Sequence, residues 1–360
     1  MAGGNRTDPP KGRGATSNPE GRFESVTHEP VDDGWGDKDP APPSLRTEVA
    51  VDAARSAITW NDSPDLPFDR SVNPYRGCEH GCVYCYARPT HAYWDLSPGL
   101  DFESRLLVKP EAARLLEEEL AAPDYRCAPM ALGTNTDPYQ PIEKKYGITR
   151  ALLETLERTS HPVSVVTKST LVERDLDVLA PMAARNLATV TVSLTTFNRE
   201  LSRRMEPRAA APNRRLRIIK NLTSAGIPVG VLVAPVIPVL TDGELERILE
   251  ACAEAGAGSA GYVLLRLPHE VEGLFREWLA THYPQKADHV MSRLEEARGG
   301  AANDPEFGSR MTGTGAYAEL IGRRFNLACQ RLRLSGHDNA LETGLFTPPP
   351  PPSGTQMSLF

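Results

Sequence analysis

Three cysteines fall within eight residues in the stretch Asn73-Pro-Tyr-Arg-Gly-Cys78-Glu-His-Gly-Cys82-Val-Tyr-Cys85-Tyr86. Spacings of three and then two residues let one loop wrap three thiolates around a single inorganic centre. Glycines at 77 and 81 permit the tight turns this requires. Thiolates are soft ligands and suit an iron–sulfur cluster or zinc. Three readings are open. Unconnected buried cysteines are the plainest, yet such thiols do not ordinarily gather in a glycine-rich loop. A zinc site needs a fourth ligand, which His80 could supply, but no second ligand pair with fitting spacing follows. A cluster held by Cys78, Cys82 and Cys85 would leave one iron open for a cofactor.

Such a loop needs a rigid frame to present it. Short β-branched runs alternate with helical patterns through the middle of the chain, with strands predicted at Met130–Leu132, Val163–Thr167, Thr189–Leu194, Val229–Val233 and Tyr262–Leu265. Amphipathic stretches such as Ala151–Arg158 and Asn213–Ala225 lie between them, the second ended by Gly226 and Pro228. Strand starts recur about every thirty residues, the length of a βαβ unit. Several strands are almost wholly apolar, as parallel strands covered on both faces are. With one more strand before Cys78 this predicts an α/β fold, a partial (β/α)6 TIM-type barrel whose chemistry lies at the C-terminal strand ends. Past Arg266 the pattern turns helical. Leu274, Phe275, Trp278 and Leu279 mark one apolar face, and Leu320, Ile321, Phe325, Cys329 and Leu332 another. The expected organisation is a disordered leader over 1–45, a core over 46–268, a helical C-terminal extension over 269–342 and a Pro-rich tail over 343–360.

The cysteine stretch resembles the radical SAM superfamily, whose hallmark is three cysteines spaced three and two apart with an aromatic before the last. Cys78, Cys82, Tyr84 and Cys85 match it. The resemblance implies a [4Fe–4S] cluster whose fourth iron binds S-adenosyl-L-methionine (SAM). One-electron cleavage then gives methionine and a 5′-deoxyadenosyl radical, which takes a hydrogen atom from the substrate. It also implies a reductant such as flavodoxin or ferredoxin, and places Tyr84 near the adenine. Over residues 65–270 the wording is most similar to the spore photoproduct lyase-like (DNA-repair-photolyase-like) branch, and within it to an uncharacterised bacterial subgroup. The stretches that carry this are Gly133-Thr-Asn-Thr-Asp-Pro-Tyr139, Val166-Thr-Lys-Ser169, Val192-Ser-Leu-Thr195, Met205-Glu-Pro-Arg208 and Val231-Leu-Val-Ala-Pro-Val236. By that resemblance Thr134, Lys168, Ser193 and Arg208 are candidate SAM or substrate contacts, Arg208 for the SAM carboxylate because a guanidinium offers a planar fork of donors. One departure stands out. The lyase carries a hydrogen-donating cysteine in the region that here reads Gly133–Asn135, and no cysteine is present. Cys127, Cys252 and Cys329 lie elsewhere, so Tyr139 is the candidate relay in its place.

Net charge is −7, which gives no global case for a nucleic-acid partner. Locally the case improves. Between Arg199 and Lys220 stand eight Arg/Lys and two Glu, an excess of six positive charges near the expected barrel mouth. The terminal Gln356-Met-Ser-Leu-Phe360 resembles the bacterial sliding-clamp-binding peptide, with Gln356, Leu359 and Phe360 as contacts held clear of the core by the proline run at 348–352. No run of eighteen apolar residues and no apolar leader is present, so a cytoplasmic protein without a membrane span is expected. The reading that unites these features is a radical SAM enzyme acting on DNA, in repair or base modification. Its rivals are an enzyme modifying RNA or a protein, and a non-catalytic metal-stabilised binding protein.

Overall fold

The computed structural model describes residues 10–23, 45–335 and 340–350. In chain order its strands are β1 (Glu48–Val51), β2 (Ile58–Trp60), β3 (Arg70–Val72), β4 (Tyr75–Arg76), β5 (Arg105–Val108), β6 (Met130–Leu132), β7 (Val163–Thr167), β8 (Ala188–Ser193), β9 (Val229–Val236) and β10 (Ser259–Leu264). The α-helices are α1 (Asp101–Ser104), α2 (Ala112–Leu120), α3 (Glu143–Tyr146), α4 (Ile148–Arg158), α5 (Leu176–Ala184), α6 (Arg199–Met205), α7 (Pro212–Ser224), α8 (Leu245–Glu254), α9 (Glu270–His282), α10 (Ala287–Glu296) and α11 (Gly315–Leu332).

Val163, Val165, Val190, Val192, Val229 and Val231 are fully or almost fully buried, because the strands that carry them are covered on both faces. Six strands run parallel in the order β10-β9-β8-β7-β6-β3, and β2 adds antiparallel to β3 at the edge. This is the expected partial (β/α)6 barrel, open between its two edges. The register of β7 on β8 pairs Val163 with Ala188 and Thr167 with Val192, which brings the C-terminal strand ends to one rim. A small second sheet, β1-β5-β4, lies outside the sequence expectation. Its β4 leads directly into the cysteine loop.

The C-terminal helices pack on the barrel as predicted. Leu274, Phe275, Trp278 and Leu279 of α9 are buried in a second core with Val83, Tyr84 and Met205, so this extension backs the cysteine loop. On α11, Ile321 and Phe325 face the main core, whereas Leu320, expected with them, is 52% exposed. After α11, Ser335 pairs with Ser259 and shields the open edge of β10. No helix among the described residues is long and apolar enough to cross a membrane.

Both chain ends depart from the sequence expectation. Residues 10–23, assigned to a disordered leader, lie as a strap across the cysteine loop, with Arg13, Gly14 and Ala15 buried. Composition arguments miss it because backbone hydrogen bonds to a buried carboxylate hold it, not apolar burial. At the opposite pole the first part of the Pro-rich tail is docked rather than free. Glu342 N donates to Asn186 O (2.9 Å) and Thr347 N to Thr159 O (2.9 Å), while Phe346 packs on Tyr125 and His161.

Candidate active site

The cysteine loop is fixed by hydrogen bonds at every turn. Cys78 N donates to Phe102 O (2.8 Å), Val83 N to Met205 O (3.0 Å) and Cys85 N to Cys82 O (3.2 Å). Gly81 has φ +66°, and a Cβ there would lie 2.6 Å from Glu103 Oε2, so only glycine fits. Beneath the loop, Glu103 and Arg88 form a fully buried ion pair. Arg88 Nε donates to Cys82 O (2.9 Å), and Glu103 accepts from Gly14 N (2.9 Å) and Ala15 N (2.8 Å) of the strap. Strap, ion pair and cysteine loop thus form one unit.

All three thiols are free, Cys78 and Cys82 buried and Cys85 half-buried. Burial pushes the Cys82 thiol up to about 12 and that of Cys78 well above its ordinary value. Ionised sulfurs here need a compensating positive centre, which a bound metal centre would supply. His80, the possible fourth ligand of a zinc site, instead places Nδ1 3.3 Å from Asp137 Oδ2. Among the described residues no three His, Cys, Asp or Glu side chains are arranged to hold a single ion. Three soft donors from one buried loop, with His80 turned to Asp137, fit a cluster that keeps one iron open.

Next to Cys82 the barrel interior is polar. Tyr84 donates its hydroxyl to Glu206, and Thr195 Oγ1 donates to the same carboxylate (2.8 Å). Arg215 completes a buried ion pair with Glu206 and donates through Nη1 to Ser193 O (3.0 Å). Burial alone would raise the Glu206 pKa, but Arg215, Lys168 and these hydrogen bonds outweigh it and hold it at about 2. Lys168 lies within electrostatic reach of Cys82 and Glu206 at the end of β7. A second carboxylate stitches the loops together. Asp137 accepts from Thr167 Oγ1 (2.7 Å), Lys168 N (2.7 Å) and Tyr139 N (2.9 Å). Burial opposes its charge, yet His80 and these donors hold it at about 2.

Tyr84, Lys168 and Ser193 are therefore brought together around the cysteine loop. Thr134 stands at the end of β6, where its carbonyl accepts from the Tyr86 hydroxyl. Arg208 lies on the strap side of the loop and pairs with Glu79 (2.8 Å). Tyr139, the candidate relay, is fully buried in the main core beneath the Arg174 guanidinium. In the basic run Arg204, Arg208 and Arg215 pair with glutamates, while Arg199, Arg203, Arg214, Arg217 and Lys220 make no ion pair among the described residues. Arg199 and Arg203 line a cavity of about 490 Å³ beside Glu206. Gln356, Leu359 and Phe360 lie outside the described residues.

Glu206, Arg215, Asp137, Arg88 and Glu103 were not singled out from the sequence. Three of them stand in stretches that were: Glu206 precedes Arg208 by two residues, Arg215 lies within the basic run from Arg199 to Lys220, and Asp137 lies within Gly133–Tyr139. Nothing in the sequence marks Arg88 and Glu103 as partners.

The family model of the radical SAM superfamily matches residues 72–252. An uncharacterized protein of Mycobacterium tuberculosis is 39% identical over 274 residues, covering 75% of this chain and 76% of that protein. An uncharacterized protein of Methanocaldococcus jannaschii is 26% identical over 224 residues, 62% of this chain and 79% of that one. Among solved structures, spore photoproduct lyase complexed with dinucleoside spore photoproduct aligns over 79% of each chain with a TM-score of 0.55 at 15% identity, a likeness of fold.

Proposed function

The chain belongs to the radical SAM superfamily, and from that premise we propose that it binds a [4Fe–4S] cluster through Cys78, Cys82 and Cys85 and acts on a DNA base, in repair or modification. The observation that carries the cluster assignment is the loop itself, with three free thiols at the C-terminal strand ends and a polar pocket behind them. Bound there, the cluster and SAM together supply a radical that removes hydrogen from a substrate. The protein's part is binding and exclusion. Lys168 and Ser193 meet the cofactor, Glu206 fixes Tyr84 through its hydroxyl, and Asp137 fixes the backbone of Lys168.

Support for DNA comes from the fold shared with a lyase whose structure holds a dinucleoside photoproduct, and from the five cations of α6 and α7 that make no ion pair among the described residues. The lyase's own reaction is not what we propose, because Gly133-Thr134-Asn135 offers no thiol at the end of β6. Gln356–Phe360 would recruit a sliding clamp, and flavodoxin or ferredoxin would supply the electron.

Anaerobic reconstitution with iron and sulfide, then reduction by dithionite with SAM, tests the core of this reading. About four irons per chain and release of 5′-deoxyadenosine are expected, both lost in Cys82→Ala. One zinc per chain with no SAM cleavage would overturn it.

A further inference from the structure

Beside Cys85 a groove of about 310 Å³ opens to solvent, walled by the residue after the third cysteine, the strap, and the loop that follows β10. We infer that this groove is a binding site for one unpaired nucleotide of a DNA strand. The inference rests on the proposed DNA reading and names the form in which DNA enters.

The groove combines aromatic faces with a cation that makes no ion pair among the described residues. The Arg266 guanidinium lies 4.9 Å over the Tyr86 ring. Its two neighbours across the groove are spoken for, Arg22 by Glu270 (2.8 Å) and Arg310 by Asp65 (2.5 Å). Arg266 forms no ion pair and donates no hydrogen bond among the described residues, so its fork of donors is open to an anion. Tyr93 is 69% exposed, yet its ring is held in place by stacking on Phe23 of the strap at 5.0 Å and 28°. An exposed aromatic pinned by a neighbour is a platform with little ordering left to lose when a base stacks on it. In the same groove the buried Asn303 Oδ1 has no hydrogen-bond donor among the described residues, an acceptor for the amino or imino edge of a base.

The size of the groove suits a single base rather than a base pair. A volume of this order holds one small-molecule-sized group, and chemistry on a base demands that the base leave its stack. Tyr86 joins the groove to the site, since it follows Cys85 directly and its hydroxyl reaches Thr134 O at the end of β6.

The test uses the full-length protein with its cluster reconstituted and SAM present. Fluorescence anisotropy compares a labelled single strand of about twelve nucleotides with the same strand in a blunt duplex. The single strand is expected to bind more tightly. Tyr93→Ala and Arg266→Ala should each weaken it about tenfold, and Arg266→Ala should reduce the salt slope by about 0.7. Arg266→Lys should recover part of the slope, and Arg323→Ala on exposed α11 should leave affinity unchanged. Iron content and unfolding temperature establish that each variant is folded and loaded. Single-strand binding that both groove variants leave unchanged, or a preference for the duplex, overturns the groove while leaving the DNA reading intact. Failure of the wild-type protein to bind either DNA, or binding only to an RNA strand of the same sequence, overturns both and leaves SAM cleavage as a separate finding.

Discussion

Glu206 holds its charge in a place where burial favours the neutral acid, and Arg215 is what makes this possible. Removing one member of such a buried pair leaves the other uncompensated, a cost of about 3–5 kcal/mol. Glu206→Gln should therefore lower the unfolding temperature by several degrees and release the Tyr84 hydroxyl, with a larger loss of SAM cleavage than of iron. Thermal unfolding and 5′-deoxyadenosine yield measure the two. Gly81→Ala acts differently, because its Cβ would meet Glu103 only 2.6 Å away and its φ of +66° disfavours any side chain. The expected result is a folded protein with most of its iron lost. At this scale the sequence speaks most directly where covalent spacing carries the message, as in the proposed ligand set Cys78, Cys82 and Cys85. It was blind to pairing. In Met205-Glu-Pro-Arg208 the arginine looked like the ligand group, but the glutamate faces the interior and Arg208 turns to Glu79. Which side of a loop a charge faces is decided by elements distant in sequence.

Among elements, the strands were legible because buried parallel strands need continuous apolar runs. Met130–Leu132 and Val163–Thr167 match the expectation residue for residue. The strap was not legible. Its residues are mostly polar or glycine and proline, and they are ordered by what they meet: Glu103, Asp101 through Asn18, and the Ser97 hydroxyl that the Pro19 carbonyl accepts. Deleting residues 1–23 should leave the barrel folded, since no strand is lost. It should also strip donors from the Glu103–Arg88 unit and uncover the cysteine loop. The cluster's visible absorbance is then expected to bleach in air several-fold faster than in the full chain. An unchanged bleaching rate would mean that the strap shields nothing.

Taken whole, the molecule has two poles. The reactive rim is closed by the strap, and the opposite end is closed by the tail, where Phe346 rests on His161. His161 is buried, its Nδ1 facing Pro162 O and its Nε2 accepting from the Tyr125 hydroxyl, an arrangement of the neutral ring. Burial holds its pKa near 4 against an ordinary 6.5. The unfolded chain therefore binds this proton more readily. Stability is complete above about pH 6.5 and falls as pH drops toward 4, by up to about 3 kcal/mol. His91, lowered to about 4 for the same reason, adds to the slope. Thermal unfolding across pH 4–7 should show it, with a shallower slope in His161→Gln.

The strap also sets an order of events when the chain is made. Gly14 leaves the ribosome 89 residues ahead of Glu103, the group it will bind. Until α1 has been synthesised the segment has nowhere to dock, and the three cysteines emerge before that moment. The groups that fix the loop come no earlier, since Cys78 N waits for Phe102 O and Val83 N for Met205 O. Loop and cover therefore settle together, and residues 10–23 dock well after their own synthesis.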